Sequence, residues 1–110
     1  MSNEAAGSYY AVIFSSQRTD GDHGYGAMDD KMDELAAKQP GFLSAESVRN
    51  ASGAGITISY WESLEAIHNW KQNELHRAAQ EKGKQVWYQS YNVKICKVER
   101  AYSYAAADLS

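Results

Sequence analysis

The chain has 110 residues with 11 basic and 14 acidic side chains, one cysteine, one proline and 44% hydrophobic residues, the composition of one globular domain. A single Cys96 excludes an internal disulfide and a four-thiolate metal site, and fits a reducing cytoplasm. A formal charge of -3, with no two basic residues adjacent, gives no electrostatic footprint for nucleic acid or an anionic membrane.

Met1 to Ser8 is polar and lacks the pattern of a signal peptide. No later stretch approaches the roughly 18 apolar residues of a membrane span. The expectation is a cytoplasmic protein with a flexible tail over 1–8, one domain over 9–104 and a C-terminal tail over 105–110. Tyr9 to Gln17 alternates Tyr10, Val12 and Phe14 against Tyr9, Ala11 and Ile13, which predicts a first strand with apolar residues on both faces. A Gly/Asp loop follows, and Met28, Met32, Leu35 and Ala36 form one apolar stripe of a helix that starts near Ala27 and ends at Pro40-Gly41. Phe42 to Arg49 and Ile56 to Trp61 read as two strands joined by a small-residue turn.

Ser63 is placed to cap a second helix, with Glu65 in its first turn, and Leu64, Ile67 and Trp70 recur at spacing three. This helix is expected to run to about Lys82, with Gly83 as a stop or kink, although Val86, Trp87 and Tyr88 could resume helix; Asn73 would cap a new segment if the element is broken there. Tyr91 to Tyr104 reads as a last strand, whose apolar phase shifts between Ile95 and Val98 as a bulge or a two-sided environment would require. The order β-α-β-β-α-β is the ferredoxin-like α+β arrangement, helices on one face of a four-stranded antiparallel sheet. Two helices cover one face only, so the other apolar face calls for a second copy of the sheet and hence a homodimer.

Candidate chemistry concentrates on the second helix. His23 lies in a loop and His68 and His76 stand roughly 12 Å apart along a helix, so the three histidines do not chelate one ion. Metal, nucleotide and nucleophile-elbow motifs are absent from the sequence. Asp29, Asp30, Asp33 and Glu34 read as the solvated face of the first helix, and Cys96 as an inert core thiol. Trp70, Asn73, His76 and Gln80, at spacings of three, three and four, share an arc of roughly 120° on an unbroken helix. Trp87, Tyr88 and Tyr91 follow. Two readings stay open: the wall of a small-molecule pocket closed by Trp87 and Tyr91, or a packed stripe in which Gln80 satisfies His76 and Asn73 is a cap.

The segments QPGFLSAESVR, ISYWESLEAIHNWKQNELHRAAQEKGKQVWYQSY and VERAYSY resemble the antibiotic biosynthesis monooxygenase domain over about Tyr9 to Tyr104, and within it the uncharacterised single-domain bacterial members. The resemblance implies a dimeric α+β barrel built from two ferredoxin-like protomers. Haem-degrading members combine an Asn on the first strand, a Trp on the second helix and a ligating His ten residues beyond it. Here Trp70 matches, but Gln80 stands at the ligand position and the first strand offers Phe14, Ser15 and Ser16 without an Asn. That pattern disfavours haem and leaves His76, one turn earlier, as a shifted ligand only. Other members imply a cofactor-independent monooxygenase of a small phenol- or quinone-type aromatic. In that reading His76 is the base, Trp70 stacks or donates, Asn73 or Gln80 stabilises the oxyanion, and Trp87 and Tyr91 line the pocket. A non-catalytic ligand-binding or stress-related barrel is the alternative.

Overall fold

A computed structural model describes residues 8–106; the expected tail over 1–8, apart from residue 8, and residues 107–110 of the expected C-terminal tail lie outside the described residues. The elements are β1 (Tyr9–Arg18), α1 (Tyr25–Ala37), β2 (Phe42–Arg49), β3 (Ala54–Trp61), α2 (Leu64–Gln72), α3 (Glu74–Lys82), a five-residue π-helical turn (Gly83–Trp87) and β4 (Tyr88–Val98). The strands form one sheet in the order β2-β3-β1-β4, antiparallel at every pairing. This is the ferredoxin-like α+β fold. No helix among the described residues is long and apolar enough to cross a membrane.

Pair register divides the sheet cleanly. Tyr10 pairs with Trp61, Val12 with Ser59 and Ile95, and Phe14 with Thr57 and Val93, so these residues share one face because side chains alternate along a strand. That face carries the helices: Trp61, fully buried, packs with Ala66 and Ile67 of α2, and Tyr10, Val12, Phe42 and Trp70 close around them. Tyr9, Ala11, Ile13, Ile58, Tyr60 and Cys96 point to the other face. Cys96 is exposed there, correcting the expected core thiol.

The Gly41 turn sets how closely α2 approaches the sheet. Its φ of +86° suits glycine, and a Cβ there would lie 2.5 Å from the Cβ of Ala66. The Gly41 carbonyl also accepts from the Glu62 amide at 2.8 Å, and Ser63 caps α2 by accepting from the Ala66 amide at 3.0 Å.

The structure decides between readings that the sequence left open and corrects the bounds of the last strand. The long second helix is broken at Asn73, whose ψ of 129° is extended and whose Oδ1 accepts from the amides of Leu75 and His76; a side chain that satisfies two orphan amides makes a second N-terminus affordable. Gly83 does not stop the chain but continues into the π-helical turn, with its α-hydrogen side against the Tyr88 ring. The strand expected over Tyr91 to Tyr104 spans Tyr88–Val98; of the two readings of its phase shift between Ile95 and Val98 the two-sided environment holds, and the sheet's irregularity falls opposite Gln17 and Arg18. Ile95 and Val98 simply face opposite sides. The bulge has a consequence: Ser90 pairs with Gln17 and Tyr88 with Arg18, so Tyr88 joins Tyr91 on the helix face where strict alternation would have sent it away.

Candidate functional site

Trp70 and His76 form the centre of the site. On a continuous helix, residues six apart point about 120° away from each other. The break at Asn73 turns α3 back, and the His76 ring lies flat on the Trp70 indole, centroids 4.1 Å apart and planes 12° from parallel. Trp70 in turn stacks on Trp61 at 6.1 Å and 25°, and Trp61 is fixed by its Nε1 donating to Ser59 Oγ at 2.9 Å. Three ring systems therefore run from the core to the edge of the sheet face.

The imidazole is also fixed in protonation. His76 Nδ1 lies 3.1 Å from the Trp70 carbonyl oxygen. A carbonyl only accepts, so Nδ1 carries the hydrogen and Nε2 keeps its lone pair. Burial pushes the His76 pKa below the ordinary histidine value; the hydrogen bond to Trp70 pulls the other way, and Lys71 adds a further small lowering. His76 is thus a neutral imidazole at neutral pH with one basic nitrogen available.

The remaining expected residues are only partly gathered. Asn73 spends its Oδ1 on capping and retains its amide hydrogens. Gln80 is half-buried on α3, one turn after His76, and His76 is satisfied by the Trp70 carbonyl instead of by Gln80. Tyr91 sits on the same sheet face but toward its other end, 5.2 Å from Phe14 and 5.9 Å from Tyr88 by ring centroids. Trp87 is not brought to this group at all. It is buried, its Nε1 donates to the His23 carbonyl at 2.9 Å, and its carbonyl accepts from Arg18 Nε and the Thr19 amide. It anchors the loop before α1, so the cavity closed by Trp87 and Tyr91 is not formed. Two cavities, of about 470 Å³ and 210 Å³, lie at the opposite end of the sheet and border none of these residues.

What joins the two aromatic groups is an apolar floor. Val12 packs with Trp70 around the core cluster, and beside it on β4 Val93 and Ile95 are about half exposed on the helix side. From Tyr10, opposite Trp61, to Phe14, beside Tyr91, is about 13 Å at strand rise. The Tyr88 hydroxyl donates to Tyr25 Oη at 3.2 Å, and burial with this hydrogen bond raises the Tyr88 pKa far above the usual phenol range, so Tyr88 stays a neutral phenol. Phe14 and Tyr25 were not among the expected site residues, whereas Tyr88 stood with Trp87 and Tyr91 in the expected aromatic cluster; the meeting of Phe14 with Tyr88 depends on the bulge. The acidic group Asp29, Asp30 and Asp33, with carboxylate oxygens within 4.8 Å of one another, is exposed on α1, as a solvated helix face would be.

A family model described as antibiotic biosynthesis monooxygenase matches residues 10–82. The chain belongs to the antibiotic biosynthesis monooxygenase family. An uncharacterised Bacillus subtilis (strain 168) protein, YqjZ, is 56% identical over 92 residues, covering 84% of this chain and 81% of its own. Among solved structures, SnoaB of Streptomyces nogalater, described as a cofactor-independent oxygenase, superposes with a TM-score of 0.73 at 9% identity over 84% of this chain and 95% of its own. A putative antibiotic biosynthesis monooxygenase from Nitrosomonas europaea gives 0.67 at 11% identity over 80% and 86%. Both structural likenesses establish the monooxygenase-family fold that the sheet order already displays.

Proposed function

We propose that this protein is a cofactor-independent monooxygenase of a small phenol- or quinone-type aromatic, working in the cytoplasm as a homodimer. The observation that carries the reading is the Trp70–His76 stack, with Nδ1–H held by the Trp70 carbonyl so that Nε2 is left as a neutral base. Family membership and the oxygenase SnoaB point to the same class of reaction.

The chemistry needs little from the protein. Consider an anthrone, which carries a phenol and a CH2 group activated by a neighbouring carbonyl. His76 Nε2 takes one proton from the activated substrate, and the anion on the Val12, Val93 and Ile95 floor gives one electron to O2. Recombination of the two radicals forms a C–O bond to the former CH2 carbon; the second C–H proton and cleavage of the O–O bond release water and leave a carbonyl. One oxygen atom ends in product and one in water, the substrate supplies all four electrons, and no external reductant is required. Trp70, stacked between Trp61 and His76, holds the imidazole in place, while the amide groups of Asn73 and Gln80 are the donors assigned to the developing oxyanion; Tyr91 closes the far end of the floor. Trp87 takes no part in this arrangement.

Haem fits these residues less well: Gln80, ten residues beyond Trp70, cannot ligate iron as an imidazole does, and β1 carries no Asn. Oxygen-electrode measurements with a panel of anthrones and hydroquinones test the proposal. O2 consumption with formation of the carbonyl product is expected. Melting-temperature shifts with these compounds but no O2 consumption would replace the oxygenase reading with ligand binding alone.

A further inference from the structure

The sheet face away from the helices carries a charge pattern that the oxygenase reading does not use. Pair register sets Glu46 of β2, Ile58 of β3, Ile13 of β1 and Lys94 of β4 in one row across that face. The acid therefore stands at one edge of the sheet and the base at the other, with two isoleucines between them. Three strand spacings put Glu46 and Lys94 about 14 Å apart, beyond each other's reach, and neither has an ion pair or a side-chain hydrogen bond among the described residues.

The next row is uneven in size. It runs Ser44, Tyr60, Ala11, Cys96. Tyr60 is a large ring, 6.0 Å from the Tyr9 ring by centroids. Ala11 is buried although no helix covers this face, because its small side chain lies among Tyr9, Ile13, Tyr60 and Cys96. A knob and a dip thus sit side by side on the two central strands.

A chain that meets its own copy through this face does so about a two-fold axis between the sheets, and that axis has two settings. With the axis across the strands, β2 lies on the partner's β2 and β4 on the partner's β4, so Glu46 approaches the partner's Glu46 and Lys94 the partner's Lys94. With the axis along the strands the edges exchange: β4 lies on the partner's β2, Lys94 meets the partner's Glu46 twice over, and each Tyr60 comes down on the partner's Ala11. Sheets packed face to face lie about 10 Å apart, a gap that long side chains bridge at the rim. Charge pairs placed there set orientation and register more than affinity, and like charges penalise the wrong arrangement.

We propose that two symmetry-related ion pairs, Lys94 with the partner's Glu46, select the axis along the strands and seat each Tyr60 over the partner's Ala11. The inference rests on the homodimer proposed above and deepens it, since it assigns the residues that decide which way round the two sheets meet.

The test is analytical ultracentrifugation of the full chain at low salt. Glu46→Lys and Lys94→Glu each make both contacts repulsive and should raise the dimer Kd about tenfold, while the double variant Glu46→Lys/Lys94→Glu restores opposite charges and should return to within about threefold of the unaltered protein. Both positions are exposed, and circular dichroism checks that the variants fold. A second readout uses the single native thiol. The axis along the strands sets Cys96 over the partner's Ser44, so a short bis-maleimide should join two chains of Ser44→Cys but not of the unaltered protein; this serves if a charge variant does not fold. A dimer whose Kd neither single reversal moves, whose Kd the double variant fails to restore, or whose unaltered chains cross-link through Cys96 as readily as Ser44→Cys overturns the proposal and leaves the homodimer standing. A chain that is monomeric at every concentration removes both.

Discussion

Replacing His76 separates its two roles, because the ring and the nitrogen can be removed independently. His76→Ala deletes both the stack on Trp70 at 4.1 Å and the Nδ1–H bond at 3.1 Å. The stack is worth about 0.5–1.5 kcal/mol and the hydrogen bond about 1 kcal/mol, a loss of about 2 kcal/mol and roughly 8–16 °C in melting temperature for a domain of this size. His76→Phe keeps a ring on Trp70 and loses the nitrogens. The Trp70 carbonyl is not orphaned, since the Asn73 amide also donates to it at 3.1 Å, so this variant should lose about 1 kcal/mol. Turnover of an anthrone, followed by O2 uptake, should nevertheless fall by about 10² to 10⁴ in both variants. The unaltered protein should also show kcat/KM falling with acidity below the ordinary histidine pKa of about 6.5, because burial lowers the His76 pKa, and this limb should vanish in His76→Phe. The same shift makes stability pH-dependent: the unfolded chain takes up the proton at higher pH than the folded one, so stability is full above the ordinary histidine pKa and declines as pH falls toward the lowered value. A His76→Phe variant with turnover within threefold of the unaltered protein would refute the base assignment.

Three further outcomes are expected. Gly41→Ala combines a left-handed φ with a Cβ 2.5 Å from that of Ala66, so it should cost about 2–4 kcal/mol from backbone strain and overpacking; an unchanged thermal melt would show that α2 does not depend on this contact. Light scattering should give twice the 12.2 kDa chain mass, because the face bearing Tyr9, Ile13, Ile58 and Tyr60 is uncovered and adjoins Ile56 and Val48, 43% and 74% exposed; Ile13→Glu should give the monomer, and a monomeric unaltered protein at micromolar concentration would remove the dimer. Titration with haemin should give no stoichiometric Soret band, and a band at one haem per chain that His76→Ala abolishes would reinstate haem as the ligand.

Strand patterning was the most readable feature of the chain. Phe42–Arg49 has the bounds its alternation implied, and β1 and β3 differ from their expected limits by one and two residues. In β1 and β3 alternation works because one face is pressed against the helices, whereas β2, exposed between its ends, is marked by the glycine turns on either side. The helix break was harder to place. Trp70, Asn73, His76 and Gln80 keep helical spacing across it, so periodicity supports a continuous element and only the capping chemistry of Asn73 marks the alternative. The last strand misled for a related reason: Tyr102 and Tyr104 extend its apolar composition, yet they are 69% and 90% exposed beyond the last paired residue, Val98. Arg49, Ser16 and Tyr25 come from three elements whose meeting depends on register and on the missing side chain of Gly55. No local window contains that information.

The break at Asn73 also shows why the site could not be read from spacing alone. Helical spacing assembles a stripe whose members look outward side by side, and such a stripe offers a ligand several polar groups but no oriented base. Interrupting the helix sacrifices a few intrahelical hydrogen bonds, which Asn73 Oδ1 partly replaces. In exchange, the Trp70 carbonyl at the end of α2 accepts from the Asn73 amide alone at 3.1 Å, where an intact helix would have carried the ladder on, and it keeps a lone pair for a side-chain donor. That exposed carbonyl receives the His76 Nδ1–H, and it fixes the tautomer that leaves Nε2 basic. The same turn of the chain lays the imidazole against the indole, where burial keeps it neutral. Position, tautomer and protonation state therefore share one cause, a local defect in an otherwise regular element, and such conflicts between local propensity and observed structure are where function is expected to reside.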